Sequence, residues 1–178
     1  IAQGKTFRWG GKYNDDYSSR DTLCTHLGVF ESFLPNIRKG DCGSPLVFLG
    51  NIQPNLQLVV ADTVYDPEFI VCDTMNLWID LFPEKLADVI KKSSVFLINH
   101  EEAEQFTGKA DVVSAAQVLI GLGPRVVVIK MGVGGSYIYH NNRGVFVPIF
   151  PVERVLDPTG AGDSYAGGFM GYLSLVQS

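Results

Sequence analysis

Four short, continuous apolar runs dominate the middle of the chain. They are LVFLG at 46–50, FIVCD at 69–73, SVFLIN at 94–99 and RVVVIK at 125–130. Strands without polar alternation are buried on both faces, which is typical of parallel sheets with crossover connections. Segments of helical period separate these runs, namely PNLQLVVADTV, PEKLADVIKK, HEEAEQFTG and DVVSAAQVLIGLG. The pattern predicts an α/β fold with a mostly parallel central sheet and flanking helices.

Two regions follow an alternating pattern instead. Between Lys5 and Phe33, TFRWGGKY and TLCTHLGVF predict a small antiparallel sheet, with Gly10 and Gly11 in a turn. Near the other end, SYIYHNNRGVFVPIF predicts a hairpin that turns at 141–144. We therefore expect an antiparallel β portion at residues 1–35 and an α/β core at 36–178.

Composition narrows the class of ligand. The net charge of −5 argues against a protein that coats nucleic acid or an anionic membrane, because both require a basic surface. The three cysteines have no CxxC spacing, which favours a reducing compartment over a disulfide framework or zinc site. We expect a cytoplasmic protein that acts on a small molecule.

The stretch DPTGAGDSYAGGF, at 157–169, is the strongest candidate for chemistry. Gly160 and Gly162 let the backbone approach a ligand, and the N–H groups at the start of the following helix attract an anion. Asp163 falls in the first turn of that helix, within reach of a hydroxyl held there. This combination favours phosphoryl transfer over a plain helix cap, because N–H donors neutralise the phosphoryl group and a carboxylate takes the proton.

Two familiar phosphate-binding motifs are excluded. The chain has no GxxxxGK[ST] segment, which rules out a P-loop. In GAGDSY, Tyr165 replaces the third glycine of the dinucleotide fingerprint, so an NAD site is not expected.

Further candidates follow the ends of the predicted strands. Asn99 and Glu102 have the spacing of a capping box, and they also suit a hydrated Mg²⁺. Asp73 and Asn76 either cap the helix near Trp78 or line a substrate pocket. The loop from Lys130 through Gly132 to Gly135 is either a tight turn or a nucleotide-binding loop. A lysine that ends an apolar strand needs solvent or an anion, which favours the second alternative.

Together these segments resemble the PfkB/ribokinase family of carbohydrate and nucleoside kinases. The family signature D-T/P-x-G-A-G-D is matched by residues 157–163, and its N-x-x-E motif by NHEE at 99–102. The resemblance implies a ribokinase-like fold with a small β lid at 1–35, and an ATP-dependent kinase for a sugar or nucleoside. It also implies that the chain lacks the N- and C-terminal portions of the family. The alternative left open is a catalytically silent kinase-fold protein that binds nucleotide or sugar.

The resemblance assigns roles to individual residues. It implies that Asp163 is the catalytic base and contacts the substrate, and that Gly160, Ala161 and Gly162 form an anion hole. It implies ATP contacts at Asn99, Lys130, Gly132, Gly135 and Gly162, Mg²⁺ at Asn99 and Glu102, and potassium at Asp157 and Thr159. Asn51 would contact the substrate, with Asp73 and Asn76 as the pocket candidates given above. Exposed edges of the lid strands would let two subunits pair into a homodimer.

Overall fold

The computed structural model describes residues 3–14, 20–153 and 155–176. The chain divides into two compact units, Ile1–Asn36 and Ile37–Ser178. No helix among the described residues is long and apolar enough to cross a membrane.

The first unit contains an antiparallel pair of strands, β1 (Arg8–Tyr13) and β2 (Arg20–His26). The expected turn at Gly10 and Gly11 is wrong, because both glycines lie inside β1 at an irregularity of the pairing. A side chain at Gly11 would overlap the indole of Trp9, which explains the glycine. A 3-10 turn at Gly28–Ser32 follows β2 where the pattern had predicted extended chain.

The second unit is built on a six-stranded sheet. The order β3-β4-β5-β6-β7-β8 follows the sequence, β3 to β6 are parallel, and β7 and β8 are antiparallel to their neighbours. This confirms the mostly parallel central sheet. The strands are β3 (Leu46–Leu49), β4 (Phe69–Cys72), β5 (Val95–Asn99), β6 (Val126–Lys130), β7 (Ser136–His140) and β8 (Arg143–Val147).

Six helices accompany this sheet within the described part of the second unit. Short α2 joins β4 to α3 at the segment where the sequence suggested a helix near Trp78. The helices are α1 (Pro54–Thr63), α2 (Asn76–Leu81), α3 (Pro83–Lys92), α4 (His100–Thr107), α5 (Val112–Ile120) and α6 (Ala161–Val176).

Helices cover both faces of the sheet, which explains the absence of polar alternation in the strands. Phe96 and Ile98 of β5 belong to a core shared with α1 to α5, whereas Val95 and Leu97 face a second core with α6. Ala166 is fully buried at that second contact. The α6 helix therefore lies on one face of the sheet, and the other helices pack on the opposite face.

The predicted hairpin is confirmed at β7 and β8. Asn141 and Asn142 connect the strands, with φ of 49° and 58° respectively. Positive φ at both central residues matches the right-handed twist of the two strands, and asparagine tolerates this conformation. The hairpin extends the sheet beyond β6.

Truncating Leu97 tests the contact between the sheet and α6. Leu97 has no exposed surface, so Leu97→Ala should lower the free energy of unfolding of the full-length protein by about 3 kcal/mol. Leu81→Ala removes the same atoms from a residue that is 58% exposed, and should cost about 0.5 kcal/mol or less. Urea denaturation measures both, and equal losses would contradict the assigned core.

Candidate active site

The carboxyl ends of the parallel strands meet at one edge of the sheet. Leu49 pairs with Cys72 on the neighbouring strand, and Asn99 pairs with Lys130. The polar residues that end or follow β3 to β6 therefore share this edge. They are Asn51, Asp73, Asn99 and Lys130.

Asn99 and Glu102 form a complete capping box at the start of α4. The backbone N–H of Glu102 donates to Asn99 Oδ1 at 2.8 Å, and the backbone N–H of Asn99 donates to Glu102 Oε2 at 3.0 Å. The Glu102 side chain is nearly buried. This confirms the capping role, and it fixes an amide and a carboxylate at the end of β5.

Lys130 and Asp73 form an ion pair across the ends of β6 and β4. Lys130 Nζ lies 2.9 Å from Asp73 Oδ1 and 3.0 Å from Oδ2, and the backbone N–H of Thr74 also donates to Oδ1, at 3.0 Å. The side chains are only 15% and 5% exposed. The sequence indicated that this lysine requires solvent or an anion, but not that the anion is Asp73, which lies on a separate strand.

Burial dominates the electrostatics of Asp73. Loss of hydration raises the pKa of its carboxyl above the ordinary value, while the adjacent Lys130 ammonium opposes that rise. The negative charge of Asp163 raises the pKa of Asp73 further. The Asp163 carboxylate is thus close enough to interact electrostatically with the ion pair.

The loop before α6 is ordered by its own polar groups. The backbone N–H of Thr159 donates to Asp157 Oδ1 at 2.8 Å, and these hydrogen bonds from Thr159 lower the pKa of Asp157. Gly160 has φ of 79°, a conformation that favours glycine. The α6 helix then begins at Ala161, and the exposed Asp163 lies in its first turn as predicted.

Gly162 lies directly against the ion pair. A Cβ atom at this position would be 3.3 Å from Lys130 Nζ, which is closer than most side chains allow. Gly167, Gly168 and Gly171 would meet no atom within 4 Å in the described structure. Close packing therefore explains glycine at 162 and does not explain the other three.

Asn76 is the first residue of α2, and Asn51 is hydrogen-bonded to the same helix. Trp78 Nε1 donates to Asn51 Oδ1 at 2.8 Å, which ties the residue after β3 to α2. Met75 occupies the N-cap of α2, so capping by Asp73 or Asn76, one of the two alternatives from the sequence, is wrong. A role of Asp73 and Asn76 in a substrate pocket stays a prediction.

The loop after Lys130 is a tight turn. Gly132–Gly134 form one 3-10 turn, and the backbone N–H of Met131 donates to the Gly135 carbonyl at 2.8 Å. Gly135 has φ of 83° and packs against Val147 and Pro148. This geometry agrees with the turn alternative and leaves a nucleotide contact as a prediction.

Metal ligands are sparse at this edge. No group of three or more His, Cys, Asp or Glu residues capable of holding an ion occurs among the described residues. The oxygens of Asn99 and Glu102 are nevertheless the donor types that Mg²⁺ accepts, and Mg²⁺ keeps several waters. The pair therefore suits a hydrated ion rather than one enclosed by protein.

Comparison with known proteins establishes the family. Residues 66–176, more than half of the chain, match the pfkB family of carbohydrate kinases. The chain belongs to the pfkB family. This match includes the signature at 157–163 and the N-x-x-E motif at 99–102 that carried the resemblance.

Curated relatives of this pfkB chain are named as kinases. It is 40% identical to the cytidine kinase of Thermococcus kodakarensis over 87 residues, which cover 48% of this chain and 31% of that protein. It is 25% identical to the nucleoside kinase of Methanocaldococcus jannaschii over 130 residues, covering 70% of this chain and 40% of the relative. The chain thus spans about a third to two fifths of the length of these relatives.

Solved structures confirm the ribokinase-like fold. The adenosine kinase of Sinorhizobium meliloti superimposes with a TM-score of 0.78 at 20% identity, covering 95% of this chain and 55% of that one. The ribokinase of Thermotoga maritima gives 0.75 at 22% identity, covering 97% and 58%.

Removal of the ammonium at Lys130 should make stability depend on pH. In Lys130→Met, the buried Asp73 carboxylate has no counterion, so its folded-state pKa rises further above the unfolded value. Stability is then retained at acid pH, where Asp73 is protonated, and is lost as pH rises through the folded pKa. We expect the full-length variant to lose about 3 kcal/mol near neutral pH and less near the ordinary pKa of aspartate.

The matched control is the double variant Asp73→Asn/Lys130→Met, which removes both charges and should lack the additional pH dependence. Urea denaturation between acid and neutral pH makes the comparison. If the stability of the single and double variants depends on pH in the same way, the ion pair with Lys130 does not control the ionisation of Asp73.

Proposed function

We propose that the full-length protein is an ATP-dependent kinase that phosphorylates a hydroxyl group of a sugar or nucleoside. The observation that carries this proposal is the exposed carboxylate of Asp163, one residue after Gly162, in the first turn of α6. Membership of the pfkB family and the kinase names of the relatives support it.

Asp163 acts as the general base in this proposal. Its carboxylate accepts the proton of the acceptor hydroxyl while that oxygen bonds to the γ-phosphorus of ATP, and the bond from phosphorus to the ADP oxygen breaks. Asp163 contacts the acceptor in this step, and its exposure leaves the carboxylate accessible.

The backbone from Gly160 to Gly162 provides the anion hole. The first N–H groups of a helix have few intrahelical partners, and the helix dipole adds positive potential there. Gly160, Ala161 and Gly162 would therefore stabilise charge on the transferring phosphoryl group. The N–H of Ala161 donates to the Pro158 carbonyl at 3.1 Å, and it would have to turn from that oxygen to the phosphoryl group. The positive φ of Gly160 supports this role, because it turns the chain into the helix.

The remaining assignments extend along the same sheet edge. The loop from Lys130 through Gly132 to Gly135 would contact the nucleotide, and Asn99 and Gly162 would complete that site. Asn99 and Glu102 would hold Mg²⁺ through water, and Asp157 and Thr159 would hold potassium. A bound Mg²⁺ supplies positive charge to the phosphate oxygens. Asn51, Asp73 and Asn76 are the proposed substrate contacts.

The names of the relatives support the proposed class of acceptor. Their names include cytidine kinase, adenosine kinase, ribokinase and 2-dehydro-3-deoxygluconokinase. On this basis we propose that the phosphoryl group is transferred to a hydroxyl of a sugar, sugar acid or nucleoside. We further propose a cytoplasmic protein that pairs as a homodimer through the lid strands.

A screen of ATP consumption tests the activity. The full-length protein is assayed against sugars, sugar acids and nucleosides with Mg²⁺, with and without potassium. Formation of ADP that depends on one acceptor supports a kinase. Binding of ATP without phosphate transfer to any acceptor in the panel would instead favour a silent binding protein.

Asp163→Asn should remove the base and retain the shape of the site. We expect kcat for the identified acceptor to fall about 1,000-fold, with ATP affinity changed little, because the amide cannot accept the proton. Asp88→Asn is the control, since it changes an exposed carboxylate on α3. Rate assays and nucleotide titration are compared, and normal phosphate transfer by Asp163→Asn would exclude Asp163 as the base.

Gly162→Ala tests the geometry of the anion hole. The added methyl group approaches Lys130 Nζ, so the first turn of α6 or the lysine must shift. We expect kcat to fall about 10-fold, since even small displacements at a reacting centre are costly. Gly168→Ala adds the same methyl group in open space on the same helix and should leave kcat unchanged. Equal activities of the two variants would argue against a tightly fitted first turn.

A further inference from the structure

The ion pair of Asp73 and Lys130 connects three separate elements. Asp73 follows β4, Lys130 ends β6, and the Lys130 ammonium lies against Gly162 in the first turn of α6. Both carboxylate oxygens of Asp73 accept from this ammonium. Lys130 is thus fixed on one side by Asp73 and borders the helix turn that carries Asp163.

The local charges explain why a cation is needed there. Asp73 and Asp163 are two carboxylates that interact electrostatically, and Asp73 is shielded from water. The nearby negative charge adds to the effect of burial and further disfavours ionisation of Asp73. Lys130 supplies the compensating positive charge directly between the buried carboxylate and the helix turn. The titratable side chains on the segments at this edge are Cys72, Asp73, His100, Glu101, Glu102, Lys130, Asp157, Asp163 and Tyr165.

Independent contacts hold the next turn of the same helix in place. Tyr165 Oη donates to Ser136 Oγ at 3.1 Å, and Ser136 is paired with Lys130 across β6 and β7. Ala166 is fully buried against the sheet. The start of α6 therefore packs close to Lys130, and Asp163 in that turn is near enough to interact electrostatically with Asp73.

We infer that Lys130 is a positioning residue, which compensates the charge of Asp73 beside the first turn of α6 and so sets the charge that this ion pair presents to Asp163. This inference rests on the proposed function, in which Asp163 is the base. It gives Lys130 a role through Asp163, in addition to the nucleotide contact suggested by its place before the glycine loop. It also gives Asp73 a role that requires no contact with substrate.

Asp73→Asn is the informative variant, because it removes one negative charge and retains the shape of the side chain. The Lys130 ammonium is then uncompensated beside α6, which favours the ionised form of Asp163. We expect the acid limb of the pH profile of kcat/KM in the full-length protein to move at least about 0.5 pH unit lower. Asp73→Asn/Lys130→Met restores the net charge of the pair and should return the limb to its original position.

The double variant distinguishes an electrostatic effect of the ion pair on Asp163 from a structural effect of losing the pair. A purely structural role of the pair would reduce kcat in both variants without moving the limb. A lysine that acts only by binding nucleotide would raise KM for ATP in the double variant and leave the limb unmoved in Asp73→Asn. Either result would overturn the inference.

A second measurement does not depend on turnover. The carboxyl carbon of Asp163 is titrated by ¹³C NMR in the nucleotide-free full-length protein, and its signal is assigned by its loss in Asp163→Asn. The midpoint should fall in Asp73→Asn and return in the double variant. If no acceptor is phosphorylated but the midpoints shift as stated, the kinase proposal fails and the electrostatic coupling stands. Unchanged midpoints in an active kinase would refute the coupling alone.

Discussion

Parallel strands that are apolar on both sides require cover on both faces, and this constraint determines where the polar residues of the protein meet. Helices α1 to α5 cover one face and α6 covers the other. Each crossover helix returns the chain to the opposite end of the sheet, so β3 to β6 all finish at one edge. Polar residues that are far apart in the sequence are brought together there because their strands are parallel, and not because of any attraction between them.

Local hydrogen bonds order the side chains at this edge without any bound ligand. The capping box orients Asn99 and Glu102, the Asp157 carboxylate orders the loop before α6, and the indole of Trp78 holds Asn51. Each of these contacts uses a side chain to satisfy a backbone or indole N–H. A residue proposed for binding therefore also stabilises the segment that presents it.

The ion pair of Asp73 and Lys130 differs from those local contacts, because its partners are 57 residues apart. A nearly buried carboxylate and ammonium are costly individually, and they are tolerated together when their geometry is good. The close approach of Gly162 links this pair to the helix that carries Asp163. The glycine signature and the strand-end lysine are thus parts of one packing arrangement.

Sequence patterns predicted much of the fold, since the relevant forces are local. Continuous apolar runs indicated β3 to β6, helical periods indicated α1 and α3 to α5, and the pair Asn141–Asn142 fell in the predicted hairpin turn. The glycines Gly10 and Gly11 were misassigned, because a glycine inside an irregular strand has the same sequence signal as one in a turn. Trp9 lies two residues before Gly11 on the same strand, and its indole leaves no room for a side chain at Gly11.

The candidate site likewise combines features that nearby residues in the sequence determine with features that only the packing of distant segments determines. The sequence alone determined the capping box of Asn99 and Glu102 and the place of Asp163 in the first turn of a helix, because both depend on residues a few positions apart. It also indicated that Lys130 needs solvent or an anion. Tertiary structure alone decided that this anion is Asp73 and that Gly162 packs against the pair. The physical reason is that strand order and helix packing, which no local pattern encodes, determine which distant charges become neighbours.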